Sequence, residues 1–188
     1  MLDDQLCARF TAKWADESAQ VDLSVAGAHQ VANALGAIGI AVAVAGVPLD
    51  TAARDVGAAS LSPWRMEMGS TPTGATVIND AYNANTASVS AALDALAAVD
   101  ADRRIAVLGT MAELGDRHDV DHQAMAARAE SLGIQVLAFD EAAYGAPLVA
   151  TIDDAVAELG TLGPRDAVLI KGSRVAGLER LAQALLGN

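Results

Sequence analysis

Val77-Ile-Asn-Asp-Ala-Tyr-Asn-Ala-Asn-Thr86 is the stretch on which the reading of this chain turns. An apolar strand runs into a polar cluster of Asp80, Tyr82, Asn83 and Asn85, and a helix is expected to open at Thr86 or Ser88. In an open α/β sheet, ligands sit outside the carboxyl ends of the strands. Loops there hold side chains in place on a rigid scaffold. One carboxylate and two amides can grip the hydroxyls of a ribose, a sugar or a peptide, and a tyrosine adds a flat face. The same residue types also build ordinary strand-to-helix turns, with Asn and Asp as turn formers and caps. Spacing alone leaves both readings open.

Outward from this stretch, strands alternate with amphipathic helices. Strands are expected at residues 75–80, 104–108, 134–139 and 167–170, with a short one at 147–150. Helices are expected at 88–98, 120–132, 152–159 and 175–186. That alternation implies α/β architecture, a mostly parallel sheet covered on both faces. Ahead of it, residues 8–14 and 19–25 read as a hairpin, and residues 28–45 and 49–58 as helices, the second entered through Pro48. Two strands and two helices are too little for an independent core, so the chain is expected to begin partway through a larger domain. Ser60-Leu-Ser-Pro-Trp64 reads as the linker.

The totals narrow the function class. A chain of 188 residues with 53% hydrophobic and 19% charged residues can fill a real core, but aromatics at 3% leave that core to Ala, Val and Leu. The formal net charge of −12 argues against nucleic acid, whose phosphates call for a basic face. Cys7 is the single cysteine, so no intrachain disulfide forms, which fits a reducing cytoplasm. Residues 34–49 carry no charge, but Gly36, Gly39 and Gly46 interrupt them. A buried helix is expected there and no membrane insertion.

Three further clusters could carry chemistry. Gly27-Ala-His-Gln-Val-Ala-Asn33 opens the first helix and places His29 and Asn33 on one face of a positively polarised helix end. Leu108-Gly-Thr-Met-Ala-Glu-Leu-Gly115 follows a strand and leads to His118 and His122. Its glycine spacing is not that of a dinucleotide loop. Glu113, His118 and His122 could in principle hold a metal, but a structural or cleft-lining Glu113 is preferred and no metal site is expected. Val168-Leu-Ile-Lys-Gly-Ser-Arg174 delivers Lys171, Ser173 and Arg174 at a strand end, where paired cations suit an anionic peptide or phosphate. Arg65, just past the linker, reads either as a solvated linker charge or as a functional cation, since a guanidinium is a fixed fork of donors.

These segments resemble the Mur ligase family in sequence order. Asp80-Ala-Tyr-Asn-Ala-Asn85 resembles the D-S-Y-N-A-N-P signature of the branch that adds D-alanyl-D-alanine to UDP-N-acetylmuramoyl-tripeptide, with Ala81 for Ser and Thr86 for Pro. Residues 27–33 resemble G-x-H-N-x-x-N, with Gln30 for the first Asn. Residues 108–115 resemble L-G-x-M-x-E-L-G, and residues 171–174 match K-G-S-R.

The resemblance implies a tail of the central ATP-binding domain at residues 1–59 and a Rossmann-like C-terminal domain at residues 60–188. It implies ATP-dependent amide ligation in peptidoglycan precursor synthesis, with ATP and Mg²⁺ as cofactors. The small-molecule substrates would be UDP-MurNAc-tripeptide and D-Ala-D-Ala, handled by a cytoplasmic monomer. Arg65 and Lys171 would be catalytic, and His29, Asn33, Arg65 and Asp80 would bind the nucleotide. Tyr82, Asn83, Asn85, Glu113, Lys171, Ser173 and Arg174 would bind substrate. No G-x-x-G-K-[ST] loop occurs in these residues, so the chain is expected to be a C-terminal fragment that does not turn over alone. A Mur-type ligase of different amino-acid specificity and a non-catalytic nucleotide- or peptide-binding α/β module are the alternatives.

Overall fold

The computed structural model describes residues 1–3, 5–112 and 114–187, and it divides into two compact units, Met1–Ser62 and Pro63–Asn188. In the first unit, β1 (Cys7–Trp14) and β2 (Glu17–Ala26) form an antiparallel hairpin. They are joined through Ala15 and Asp16, with Ala15 at a φ of 51°. α1 (Gln30–Ala43) and α2 (Leu49–Gly57) pack on one face of it. The core is Ala8, Ala12, Ala19, Val21, Leu23, Ala34, Ile38, Leu49, Ala52 and Ala53. These are mostly small side chains, as the low aromatic content requires. α1 leaves Leu35 and Ile40 exposed, and its C-cap Val44 is exposed too.

The second unit holds a six-stranded sheet in the order β3-β4-β8-β5-β6-β7. Its strands are β3 (Glu67–Ser70), β4 (Thr76–Asp80), β5 (Arg103–Leu108), β6 (Gln135–Phe139), β7 (Leu148–Val149) and β8 (Asp166–Lys171). All neighbours run parallel except β3, which pairs antiparallel with β4. α3 (Thr86–Ala98) packs with α4 (His118–Ser131), and α5 (Ile152–Leu159) with α6 (Glu179–Leu186). Val77, Ile105, Val107, Val168 and Ile170 share a core with Ala155, Leu159, Leu181 and Ala182 of α5 and α6. Their strand neighbours Ile78, Ala106 and Leu169 are equally buried, and strand alternation turns them to the opposite face. A sheet buried on both faces is why these strands read as unbroken apolar runs. The architecture is the α/β, mostly parallel sheet that the alternation of elements implies, in the Rossmann-like form that the family resemblance implies.

Two elements differ from expectation. β3 was not anticipated, because Glu-Met-Gly-Ser has neither β-branched residues nor alternation. It fits because Gly69 lies so close to Leu186 that a Cβ would come within 2.7 Å. The last helix starts at Glu179 instead of residue 175, because a 3₁₀ turn at Arg174–Ala176 ends on Gly177, which turns left-handed at a φ of 62°. Among the described residues, no helix is long and apolar enough to cross a membrane.

Candidate functional site

Asp80 and Lys171 are the last residues of β4 and β8 and are register partners. The Lys171 ammonium forms an ion pair with the Asp80 carboxylate and donates to the Asn83 carbonyl oxygen at 2.9 Å. Its side chain is 1% exposed and that of Asp80 13%. Burial pushes the Lys171 ammonium below its ordinary pKa; the Asp80 carboxylate opposes this, and the nearby Arg65 charge adds to it. The second Asp80 oxygen accepts from the Met66 N–H at 3.0 Å. Removing one partner of such a buried pair costs about 3–5 kcal/mol, because the other charge is stranded.

Residues 64–66 lie against this edge. The Tyr82 N–H donates to the Trp64 carbonyl at 3.1 Å. Trp64 and Met66 hold left-handed backbone, at φ of 65° and 51°. Such residues cost about 1–3 kcal/mol each and persist where neighbours fix them. The outcome is a stack: the Arg65 guanidinium lies 3.9 Å from the Tyr82 ring centroid. The Arg174 guanidinium lies 4.7 Å from the Trp64 ring and 5.8 Å from Tyr82. Both arginines are exposed. Aromatic faces thus carry two cationic forks at the carboxyl edge of the sheet.

Asn85 caps α3 in a capping box: its side chain accepts from the Ser88 N–H at 2.9 Å, and the Ser88 hydroxyl accepts from the Asn85 N–H at 3.0 Å. Ser173 is buried. Its hydroxyl accepts from the Ala112 N–H at 2.8 Å and donates to the Ala84 carbonyl at 3.3 Å. Arg65, Asp80, Tyr82, Asn83, Lys171, Ser173 and Arg174 therefore converge on one edge. His29 and Asn33 belong to the first unit, where the Asn33 amide donates to the Gln30 side chain at 2.8 Å. Glu113 lies outside the described residues.

His118, His122 and Glu141 bring three ligand atoms within 4.8 Å of one another. Both His122 nitrogens, however, have backbone partners. Nδ1 faces the His118 carbonyl at 2.6 Å, and Nε2 accepts from the Met111 N–H at 2.9 Å. A cation at Nε2 would strip a buried donor of its acceptor. His118 touches Asp119 at 2.9 Å and Glu141 at 3.0 Å. The hydrogen bond to Asp119 holds its pKa above the ordinary value, against partial burial and with help from Glu141. Burial pushes the Glu141 carboxyl up, but the Ala143 N–H, the Thr110 hydroxyl and the two imidazoles outweigh it and hold it below the usual range.

Beyond β5, β6 and β7, a cavity of about 550 Å³ opens at the same edge, lined among others by Thr110, Asp140, Thr151, Asp153, Val175 and Arg180. None of these was singled out from the sequence. Thr110 and Asp140 follow strand ends, the same signal that marked Asp80; Arg180 carried no signal.

Residues 64–174 match the family model described as Mur ligase, glutamate ligase domain. The chain is 37% identical over its whole length to UDP-N-acetylmuramoyl-tripeptide–D-alanyl-D-alanine ligase of Mycobacterium tuberculosis, covering 43% of that protein. It is 29% identical to the Escherichia coli enzyme of the same name, over 95% of this chain and 42% of that one. The crystal structure of MurF from Acinetobacter baumannii superposes with a TM-score of 0.84 at 27% identity, over 98% of this chain and 43% of that chain. The chain thus spans about two fifths of the length of these relatives. With the matched residues running from the linker through the last strand to Arg174, the chain belongs to the Mur ligase family and carries that family's glutamate ligase domain.

Proposed function

We propose that this chain works as the C-terminal part of an ATP-dependent ligase that joins D-Ala-D-Ala to UDP-MurNAc-tripeptide. Residues 1–59 would be the end of the ATP-binding domain and residues 60–188 the C-terminal domain. The observation that carries this reading is the stack of Arg65 and Arg174 about Tyr82 beside a cavity of mixed charge. Two exposed forks suit the oxygens of a phosphoryl group and of an acyl phosphate. Arg180 and the carboxylates of Asp140 and Asp153 line the cavity. They suit a zwitterionic dipeptide, its carboxylate toward Arg180 and its ammonium toward the acids. Asn33 is exposed and would face the adenine, with His29 beside it on the first turn of α1.

Bound ATP would supply the phosphoryl group that activates the tripeptide carboxylate as an acyl phosphate, with ADP as the leaving group. The dipeptide amine, having lost a proton, attacks the acyl carbon; the amide bond forms and phosphate departs. The chain contributes placement and neutralisation of charge, which dominate such transfers. Mg²⁺ prefers several oxygen ligands. At this edge the Asp80 carboxylate is engaged by Lys171 and Met66, so Asp80 does not fit the ion here. Its ligands and the phosphate-cradling loop are assigned to sequence upstream.

The test is phosphate release and product formation by the ligase carrying this chain together with its upstream sequence. Turnover with UDP-MurNAc-tripeptide and D-Ala-D-Ala is expected. Turnover with a single amino acid in its place would instead establish a ligase of different specificity. Saturable ligand binding without turnover would favour the binding module.

A further inference from the structure

Three loops make the carboxyl edge: residues 80–85 after β4, 109–112 after β5 and 171–174 after β8. The third holds the other two. The Lys171 amine reaches the Asp80 carboxylate and the Asn83 carbonyl within the first loop. The Ser173 hydroxyl takes the Ala112 N–H of the second loop and gives its own proton to Ala84 of the first. Backbone bonds join the same loops: Ser173 N–H to the Thr110 carbonyl at 2.8 Å and Gly109 N–H to the Lys171 carbonyl at 2.9 Å. Ser173 is 4% exposed and Lys171 2%. The serine proton is spent, and the ammonium is enclosed beside its counter-ion. By contrast, Arg65, Asn83 and Arg174 are exposed on the same edge and Tyr82 is half-buried.

We propose that Lys171 and Ser173 are positioning residues, which set the loops at 80–85 and 109–112 from beneath while other side chains on this edge meet the ligands. An anion reaching the enclosed Lys171 ammonium would have to displace Asp80, which would take the counter-ion from a carboxylate that is itself largely buried. A ligand bonding the Ser173 hydroxyl would have to release Ala84 or Ala112. Each side chain acts on the reaction through the loops it ties, where a misplacement of about 1 Å costs on the order of 100-fold in rate. The proposal rests on the ligase reading for its kinetic part and on geometry alone for the rest.

Two measurements test it. The sequence has two lysines, Lys13 and Lys171, and Lys13 is exposed. Acetylation of the folded 188-residue chain with an N-hydroxysuccinimide ester, read by mass spectrometry, should modify Lys171 at least about 100-fold more slowly than Lys13, since the amine reacts only on local opening. Comparable rates would overturn the assignment of Lys171, and this arm needs neither a substitution nor activity. In the ligase carrying this chain and its upstream sequence, Ser173→Ala should lower kcat on the order of 10- to 100-fold and leave the KM values for ATP and dipeptide within about 3-fold. A raised KM for one substrate at unchanged kcat would make Ser173 a substrate contact. No change in either constant would make it a structural residue only. Both results overturn the proposal. An inactive unsubstituted ligase would remove the ligase reading itself, a failure distinguished from the others by the acetylation result.

Discussion

Gly109 and Gly172 lie against each other at the ends of β5 and β8: a Cβ on Gly172 would stand 3.3 Å from the Gly109 Cα and 3.0 Å from Leu178. A Cβ on Gly109 would stand 2.9 Å from Leu178 and 3.0 Å from Ala176. Neither glycine occupies left-handed backbone, so the demand is for space. Gly109→Ala and Gly172→Ala should each destabilise the fold by about 1–3 kcal/mol, as overpacking does. The urea midpoint should fall at constant m-value; an unmoved midpoint would show that Leu178 yields freely.

Asn85 serves helix α3 before it serves any ligand. Asn85→Ala should cost about 1 kcal/mol in chemical denaturation, the usual value of a lost N-cap. Asn85→Ser keeps a capping oxygen and should restore most of that stability. If the amide also binds substrate, Asn85→Ser will lower ligation while stability holds. Equal stability of the Ala and Ser variants would refute the capping assignment.

His118 faces Asp119, Glu141 and His122. Its pKa in the folded chain lies above the ordinary 6.5. The stabilisation from its pairing is therefore complete below 6.5 and fades as pH rises through the folded value. The imidazole should titrate above 6.5 by NMR, and Asp119→Asn should lower that midpoint, because the Asp119 hydrogen bond is its largest cause. The stability advantage of the native chain over His118→Gln should shrink as pH rises above about 6.5. An advantage that grows with pH would contradict the pairing.

Trp64 reports on the arginine stack. With Trp14→Phe removing the other indole, inorganic pyrophosphate should change the Trp64 emission saturably as it draws on Arg65 and Arg174. Arg174→Ala should weaken that response at least about 10-fold, in line with the loss of a charge-assisted hydrogen bond. A response that survives the substitution would place the anion elsewhere.

The order of strands and helices was legible because β4, β5 and β8 are buried on both faces and flanked by turn residues. β3 was not, since pairing with β4 and contact with Leu186 make it a strand despite its composition. The residues of the edge were legible by motif, and their orientations were not. Lys171 reads in sequence as a cation offered to a ligand, but its register opposite Asp80 turns the amine inward. Asp140 follows a strand end as Asp80 ends one, whereas Arg180, inside α6, became visible only when the fold brought it to the same cavity.

The position of β8 has a consequence for how the domain assembles. β4 and β5 do not pair with each other; β8, near the end of the sequence, bonds to both. Until Asp166–Lys171 has inserted, the sheet exists as two unjoined halves whose facing edges are apolar and open. Pairings this distant along the chain are slow to form, and open edges of this kind invite association with other chains. Pulsed hydrogen exchange during refolding should find β4, β5 and β8 becoming protected in one late step. A chain ended before Asp166 should be prone to aggregate.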